Sequence, residues 1–395
     1  MFRYRLQALF LVSTILTFSA WAQQPPAPRG VDLKASDGTI LKATYFAATN
    51  PGPGVLLLHQ CNRQRKVWNE LAAQLSAAGI NVLTFDLRGF GESGGVSQDK
   101  LTPRQDAQVR AEDWPGDIDT AFEYLVTQPG VKHDVIGIGG ASCGVDNSID
   151  TARRHPGEVK SLVLLSGGTG LAGRRFLRQA SQLPILFAVA DDDEFPPTAQ
   201  VVPWLFTISS NPGKKFVRYA TGGHGAEIFA IHPELRGVIT DWFVTTLIKT
   251  PGSSPAGKNA APVLASAEAL NEIELPGGIE QVAQKLADAR RSDSNAEIFP
   301  EDPVNIMGYE HLQVGDTKAA IEIFRLNAIA YPQSPNVYDS LSDAYVADGQ
   351  RDLARQNAQH ALDLLATDSA DPEARRNGIR DSSRRKLKQL EEGKP

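Results

Sequence analysis

Between Val31 and Ile248, short apolar runs of strand length alternate with longer stretches whose apolar residues recur at helical spacing. That alternation constrains the fold more than any other feature of the chain. The runs are GVLLLH (54–59), INVLTFD (80–86), DVIGIGG (134–140), SLVLLSG (161–167), PILFAVA (184–190) and KKFVRYA (214–220). They are mostly continuous rather than alternating in polarity, as strands are when both faces of a parallel sheet are covered. The stretches between them place Trp68, Leu71, Leu75 and Ala78, and later Ile118, Ala121, Phe122 and Leu125, on single helical faces. Ahead of these, residues 31–46 (VDLKASDGTILKATYF) predict two antiparallel strands joined at Asp37-Gly38, a hairpin dipeptide. The expected fold is a doubly wound, mostly parallel α/β domain over about 30–250.

At 395 residues the chain exceeds one ordinary domain. Composition shifts at TPGSSPAGKNAAPVLAS (250–266), which predicts a linker over 251–275. Beyond it no strand pattern occurs, and an all-α domain is expected over 276–392. This region contains a repeat offset by about 34 residues, in copies 301–334 and 335–368, that aligns Gly315 with Gly349 and Ala320 with Ala354. Gly308, Phe324 and Pro332 in the first copy, with Tyr345 and Ala361 in the second, resemble the tetratricopeptide pattern, from which Asn327 and Ala358 depart. Two copies are fewer than stand alone. A helix through Ile279, Val282 and Leu286 and a charged helix over 372–392 are expected to cap them.

The first residues, MFRYRLQALFLVSTILTFSAWAQQ, carry Arg3 and Arg5, an apolar run over 9–18, and Ala20 and Ala22 around Trp21. This is the layout of a signal peptide over 1–22, cleaved after Ala22, and it places the mature protein in the periplasm or outside the cell. The run is too short to span a bilayer, so no stable membrane span is expected after cleavage. A net charge of -6 excludes a basic nucleic-acid-binding face. Seven scattered histidines, without HExxH or CxxC, predict no metal site, and no cofactor is implied.

GGASCGVD (139–146) sets Ser142 and Cys143 side by side at the end of a strand and the start of a helix. A nucleophile on such a sharp turn needs very small residues two positions before and after it, because larger side chains would collide with it. Centred on Ser142 the flanks are Gly140 and Gly144; centred on Cys143 they are Ala141 and Val145. Glycine spacing therefore selects Ser142. A serine hydroxyl needs a histidine base oriented by a carboxylate. His224, in TGGHGAE after the last strand, and Asp193, in DDDEFPP at the carboxyl end of PILFAVA, supply both. Asp192 is the second choice within the run Asp191–Asp193.

Serine, aspartate and histidine in that order, with DLRGFGES (86–93) and LLLHQCN (56–62), make residues 30–250 resemble the α/β-hydrolase superfamily, in the style of its dienelactone hydrolase and serine aminopeptidase branches. The resemblance implies that LLLHQCN is the oxyanion loop, with Gln60 where the family usually has Gly and His59 a structural part of the turn. By position, the backbone N–H groups of Cys61 and Cys143 are the oxyanion donors. These are the chain's two cysteines. Two readings stand: small buried thiols beside the serine, or a disulfide fixing the spacing of the donors. Arg63, Arg65 and Lys66 either meet an acidic substrate group or form a solvated helix start. Only residues 168–183 separate SLVLLSG from PILFAVA, too few for a lid domain, so the site is expected to be open and shallow.

The expected activity is that of an exported serine hydrolase cleaving a carboxylic ester, or secondarily an amide or peptide, through an acyl-enzyme. Its partners are then a small-molecule or peptide substrate, with protein binding or self-association through the C-terminal helices. The rival expectation is an envelope scaffold that recruits a partner through those helices and uses the hydrolase fold only as a platform.

Overall fold

In the computed structural model the described residues are 25–195, 197–253, 264–369 and 371–392. The expected signal peptide lies outside them. Eight strands form: β1 (Arg29–Lys34), β2 (Ile40–Phe46), β3 (Gly52–Leu58), β4 (Asn81–Phe85), β5 (Val131–Ala141), β6 (Val159–Leu165), β7 (Ile185–Ala190) and β8 (Lys215–Tyr219). They make one sheet in the order β1-β2-β4-β3-β5-β6-β7-β8. β2 runs antiparallel to β1 and β4, and every later pairing is parallel. The hairpin turns at Asp37-Gly38, with Gly38 at φ 90°.

Helices α1 (Asn69–Ala77), α2 (Pro103–Gln108), α3 (Trp114–Val126), α4 (Cys143–Arg154), α5 (Leu171–Gln179), α6 (Thr198–Ile208), α7 (Ile228–Ile231) and α8 (Glu234–Phe243) connect or follow the strands. Separate apolar clusters fill the two faces of the sheet. Leu56, Leu58, Ile138 and Phe187 point to the α3/α4/α6 side, and Val55, Leu57, Val163 and Leu186 to the α1/α8 side. Both parities of each central strand are thus buried, the physical basis of the continuous apolar runs.

Seven helices follow: α9 (Ala265–Ile273), α10 (Gly278–Ser292), α11 (Glu301–Gln313), α12 (Thr317–Ala330), α13 (Pro335–Ala347), α14 (Arg351–Leu365) and α15 (Glu373–Glu391). α9 lies inside the stretch read as linker. Its Leu270 and Ile273 are buried in the same cluster as Leu205 and Ile208 of α6, so this part is docked rather than free. Small and polar residues in 250–266 pointed to a linker, but the amphipathic face of 267–273 finds an apolar surface to bury. The pairs α11/α12 and α13/α14 repeat, each turning at a glycine in the left-handed region, Gly315 at φ 79° and Gly349 at φ 77°. A Cβ on Gly308 would fall 2.4 Å from the Phe324 ring, so the small residue is what lets the two helices close.

The helical region is joined to the sheet-bearing part by a buried ion cluster. The Arg174 guanidinium of α5 is enclosed by Glu274 at the end of α9 and Glu310 of α11, and its Nη1 also donates to the Thr169 carbonyl at 2.7 Å. Among the described residues no helix is long and apolar enough to cross a membrane.

Candidate active site

The carboxyl ends of β3, β5, β7 and β8 bring the sequence-selected residues to one edge of the sheet, where open α/β sheets place their sites. Ser142 stands between β5 and α4 with φ 54° and ψ -122°. Among the described residues only Ser166, at the end of the adjacent β6, is another non-glycine with positive φ. Such backbone persists only where its surroundings over-determine it. Here a Cβ on Gly140 would lie 2.0 Å from the Gly144 carbonyl oxygen, and one on Gly144 would lie 2.5 Å from the Leu58 carbonyl oxygen. Larger flanking residues would therefore strike the neighbouring backbone rather than the serine itself, which corrects the steric reason but leaves the glycine requirement in place.

The three consecutive aspartates have three different partners. The Asp193 side chain is buried, and both of its carboxylate oxygens lie 2.9 Å from Nδ1 of His224. Asp192 accepts the backbone N–H groups of Gly222 and Gly223 at 2.8 and 2.9 Å, and so holds the loop that delivers His224. Asp191 pairs with Arg218 on the surface. With Nδ1–H donating to Asp193, Nε2 is the histidine nitrogen left for a proton from a substrate or a serine. Phe195 packs its ring 4.5 Å from the imidazole. Among the described residues no hydrogen bond joins Ser142 to His224; such contacts are often long before substrate binds.

The two cysteines form a disulfide, Cys61–Cys143, with Cα atoms 5.9 Å apart. It ties the loop after β3 to the first residue of α4, whose N–H has no acceptor within its own helix. Arg110, lying 4.5 Å over the Trp114 ring, reaches the Cys61 sulfur at 3.0 Å. Gln60 is fully buried. Its Oε1 accepts the Ala226 N–H at 2.7 Å and its Nε2 donates to Asn62 Oδ1 at 2.8 Å. Where the family usually has Gly, this chain therefore uses an amide side chain to brace the loop carrying His224. A Cβ on Gly225 would lie 2.5 Å from that Oε1, so the pairing requires glycine there.

The remaining motif residues brace the site. Asp86 accepts the backbone N–H of Arg65 at 2.7 Å and that of Glu92 at 2.9 Å, and Arg88 holds Asp117. Arg63 is paired with Glu227, Arg65 with Asp86 and Glu92, and Lys66 with Glu92. All three cations are thus engaged within the protein. His59 Nδ1–H donates to the Gln60 carbonyl at 2.8 Å, while Nε2 accepts the Leu87 N–H at 3.0 Å, an assignment to the neutral tautomer set by those partners. Burial lowers its pKa below the ordinary 6.5.

A depressed folded-state value means that the unfolded chain binds the proton first. The stability owed to neutral His59 is complete above about pH 6.5 and is lost as pH falls toward the folded value. The urea midpoint is expected to drop between about pH 7.5 and pH 5.5, and to drop less steeply in a His59→Gln variant.

Residues 49–189 match the family described as serine aminopeptidase, S33. The sheet-bearing part of this chain has the strand order and mostly parallel pairing of an α/β-hydrolase fold. The chain is 28% identical over 123 residues to the thiohydrolase aneE of Aspergillus aculeatus, covering 31% of this chain and 36% of that protein. It is 34% identical over 149 residues to an uncharacterized protein of Mycobacterium tuberculosis, covering 37% of this chain and 48% of that protein. The chain thus spans less than half the length of either relative. A solved dienelactone hydrolase from Anabaena variabilis superposes with TM-score 0.45 at 19% identity, covering 57% of this chain and 100% of that one.

Between β6 and β7 the sheet-bearing part carries only the short helix α5 and no inserted lid domain. A cleft of about 300 Å³ lies beside the carboxyl ends of β5, β6 and β7, and Pro303, Ile306 and Glu310 of α11 supply one wall. Sequence reasoning missed this wall, and it missed Asp146, which accepts the Thr169 hydroxyl at 2.5 Å one turn after Ser142. Local sequence offered no signal for either, because the partners are far apart along the chain.

Proposed function

We propose that this protein is an exported serine hydrolase that cleaves a carboxylic ester or thioester through an acyl-enzyme. The observations carrying the reading are the buried Asp193–His224 pair and, at the same carboxyl end of the sheet, a serine held at positive φ on a glycine-flanked turn. Ser142 Oγ attacks the carbonyl carbon as His224 Nε2 takes its proton, and Asp193 stabilises the imidazolium that forms. The Cys143 and Cys61 N–H groups face the developing oxyanion, and two such donors are worth several kcal/mol. The carbonyl–leaving-group bond then breaks and His224 returns the proton to the departing oxygen or sulfur. Water repeats the sequence on the acyl-serine and releases the acid.

The thioester option comes from the names of the similar thiohydrolases. Export is supported by the charged, apolar and small-residue order of positions 1–22, and by a disulfide that suits an oxidising compartment. The test is fluorophosphonate labelling of the full chain followed by peptide mapping. The expected result is a single adduct on Ser142 together with turnover of p-nitrophenyl acetate; no adduct at Ser142 overturns the reading.

A further inference from the structure

The cleft beside α11 is lined by residues that closely follow Ser142 and Asp193 along the chain, without Ser142, Asp193 or His224 in the lining. Asp146 lies one helical turn beyond the serine, Thr169 follows β6, and Pro197 and Val201 follow the Asp193 loop. The fourth side belongs to α11, which begins well over a hundred residues downstream of Ser142. α11 thus stands where an inserted lid would stand in a hydrolase that had one.

Trp204 forms part of the wall and is 2% exposed. Its indole N–H has no acceptor among the described residues, although a buried donor ordinarily has one. Ile306 of α11 is 42% exposed, a large apolar side chain turned to the same cleft. Arg174 is the one cation in the wall. Its guanidinium is taken by Glu274, Glu310 and the Thr169 carbonyl, and its plane lies 4.5 Å from the Trp204 ring. With that cation neutralised and Asp146 and Glu310 nearby, a carboxylate or phosphate entering the cleft would meet repulsion and find no partner. Mostly apolar walls with their one cation already paired suit a neutral chain.

Resting on the serine-hydrolase reading, we propose that this cleft receives the acyl group carried by Ser142, that the group is neutral and longer than acetyl, and that Ile306 of α11 sets the length accepted. The helical region is then a specificity wall of the enzyme. The full-length protein and its Ile306→Trp and Ile306→Ala variants are compared on p-nitrophenyl acetate, butyrate and hexanoate, with a second series that varies the alcohol of an acetate ester. Thermal melting checks that each variant is folded.

The wild type is expected to prefer butyrate or hexanoate to acetate. Ile306→Trp is expected to lower the hexanoate-to-acetate ratio of kcat/KM at least tenfold, and Ile306→Ala to shift the preference to longer chains. A ratio unchanged within twofold in both folded variants overturns the proposal, as does a response confined to the alcohol series. Failure of the underlying reading is distinct: it shows as no fluorophosphonate adduct on Ser142 in the wild type, whatever stands at position 306.

Discussion

Replacing Ser142 by Ala is expected to lower kcat/KM for p-nitrophenyl acetate by about a thousandfold or more, and to abolish fluorophosphonate labelling, with the thermal midpoint changed little. The drop should be this large because no neighbouring group can substitute for the hydroxyl. Cys143 is next in sequence, but its sulfur is bonded to Cys61 and so is not a thiolate. Alanine keeps the Cβ at φ 54°, so the elbow strain stays in the protein and the comparison isolates the oxygen. What remains after the substitution is the contribution of binding and oxyanion stabilisation. Steady-state kinetics on the two proteins measures the difference; a variant retaining wild-type turnover would remove Ser142 from the mechanism.

Removing the disulfide, by Cys61→Ser with Cys143→Ser or by reductant, is expected to cost about 4 kcal/mol of stability. The two cysteines are 82 residues apart in sequence, and closing a loop of that size restricts the unfolded chain by roughly that amount. The bond closes a loop that holds α1, β4, α2, α3 and β5, so its loss frees more than a third of the sheet-bearing part in the unfolded state. It also releases the tether between the oxyanion loop and the first residue of α4, so activity is expected to fall with stability. Urea unfolding of the oxidised, reduced and double-serine proteins reads the effect. Coincident transitions for all three would show that the bond contributes nothing to folding.

The parts of this protein that could be read without coordinates are those in which chemistry repeats locally. A strand buried on both faces must be apolar at both parities, so LVLL and ILFAV announce the sheet before any pairing is known. A turn as tight as GGASCG needs glycine at two fixed offsets, so the spacing chose Ser142 over Cys143 from neighbours alone. The helical repeats are legible for the same reason: Gly315 and Gly349 each close a turn in the left-handed region, and in the first copy Gly308 admits Phe324.

Tertiary structure alone decided the pairings between distant residues. Three adjacent aspartates have the same local sequence environment, and only the position of β8 and its glycine loop gives Asp193 to His224, Asp192 to two backbone N–H groups and Asp191 to Arg218. Gln60, an apparent departure from the family pattern, became a brace because Ala226 comes within 2.7 Å of its side chain. The stretch 168–183 holds only the short helix α5, yet a cleft beside the sheet gains a wall from α11, held by Arg174 between Glu274 and Glu310. Periodicity and spacing record what each residue requires of its near neighbours along the chain. Which charges meet, and which helix closes a cleft, depends on how separate apolar faces pack against each other, and that information is not local.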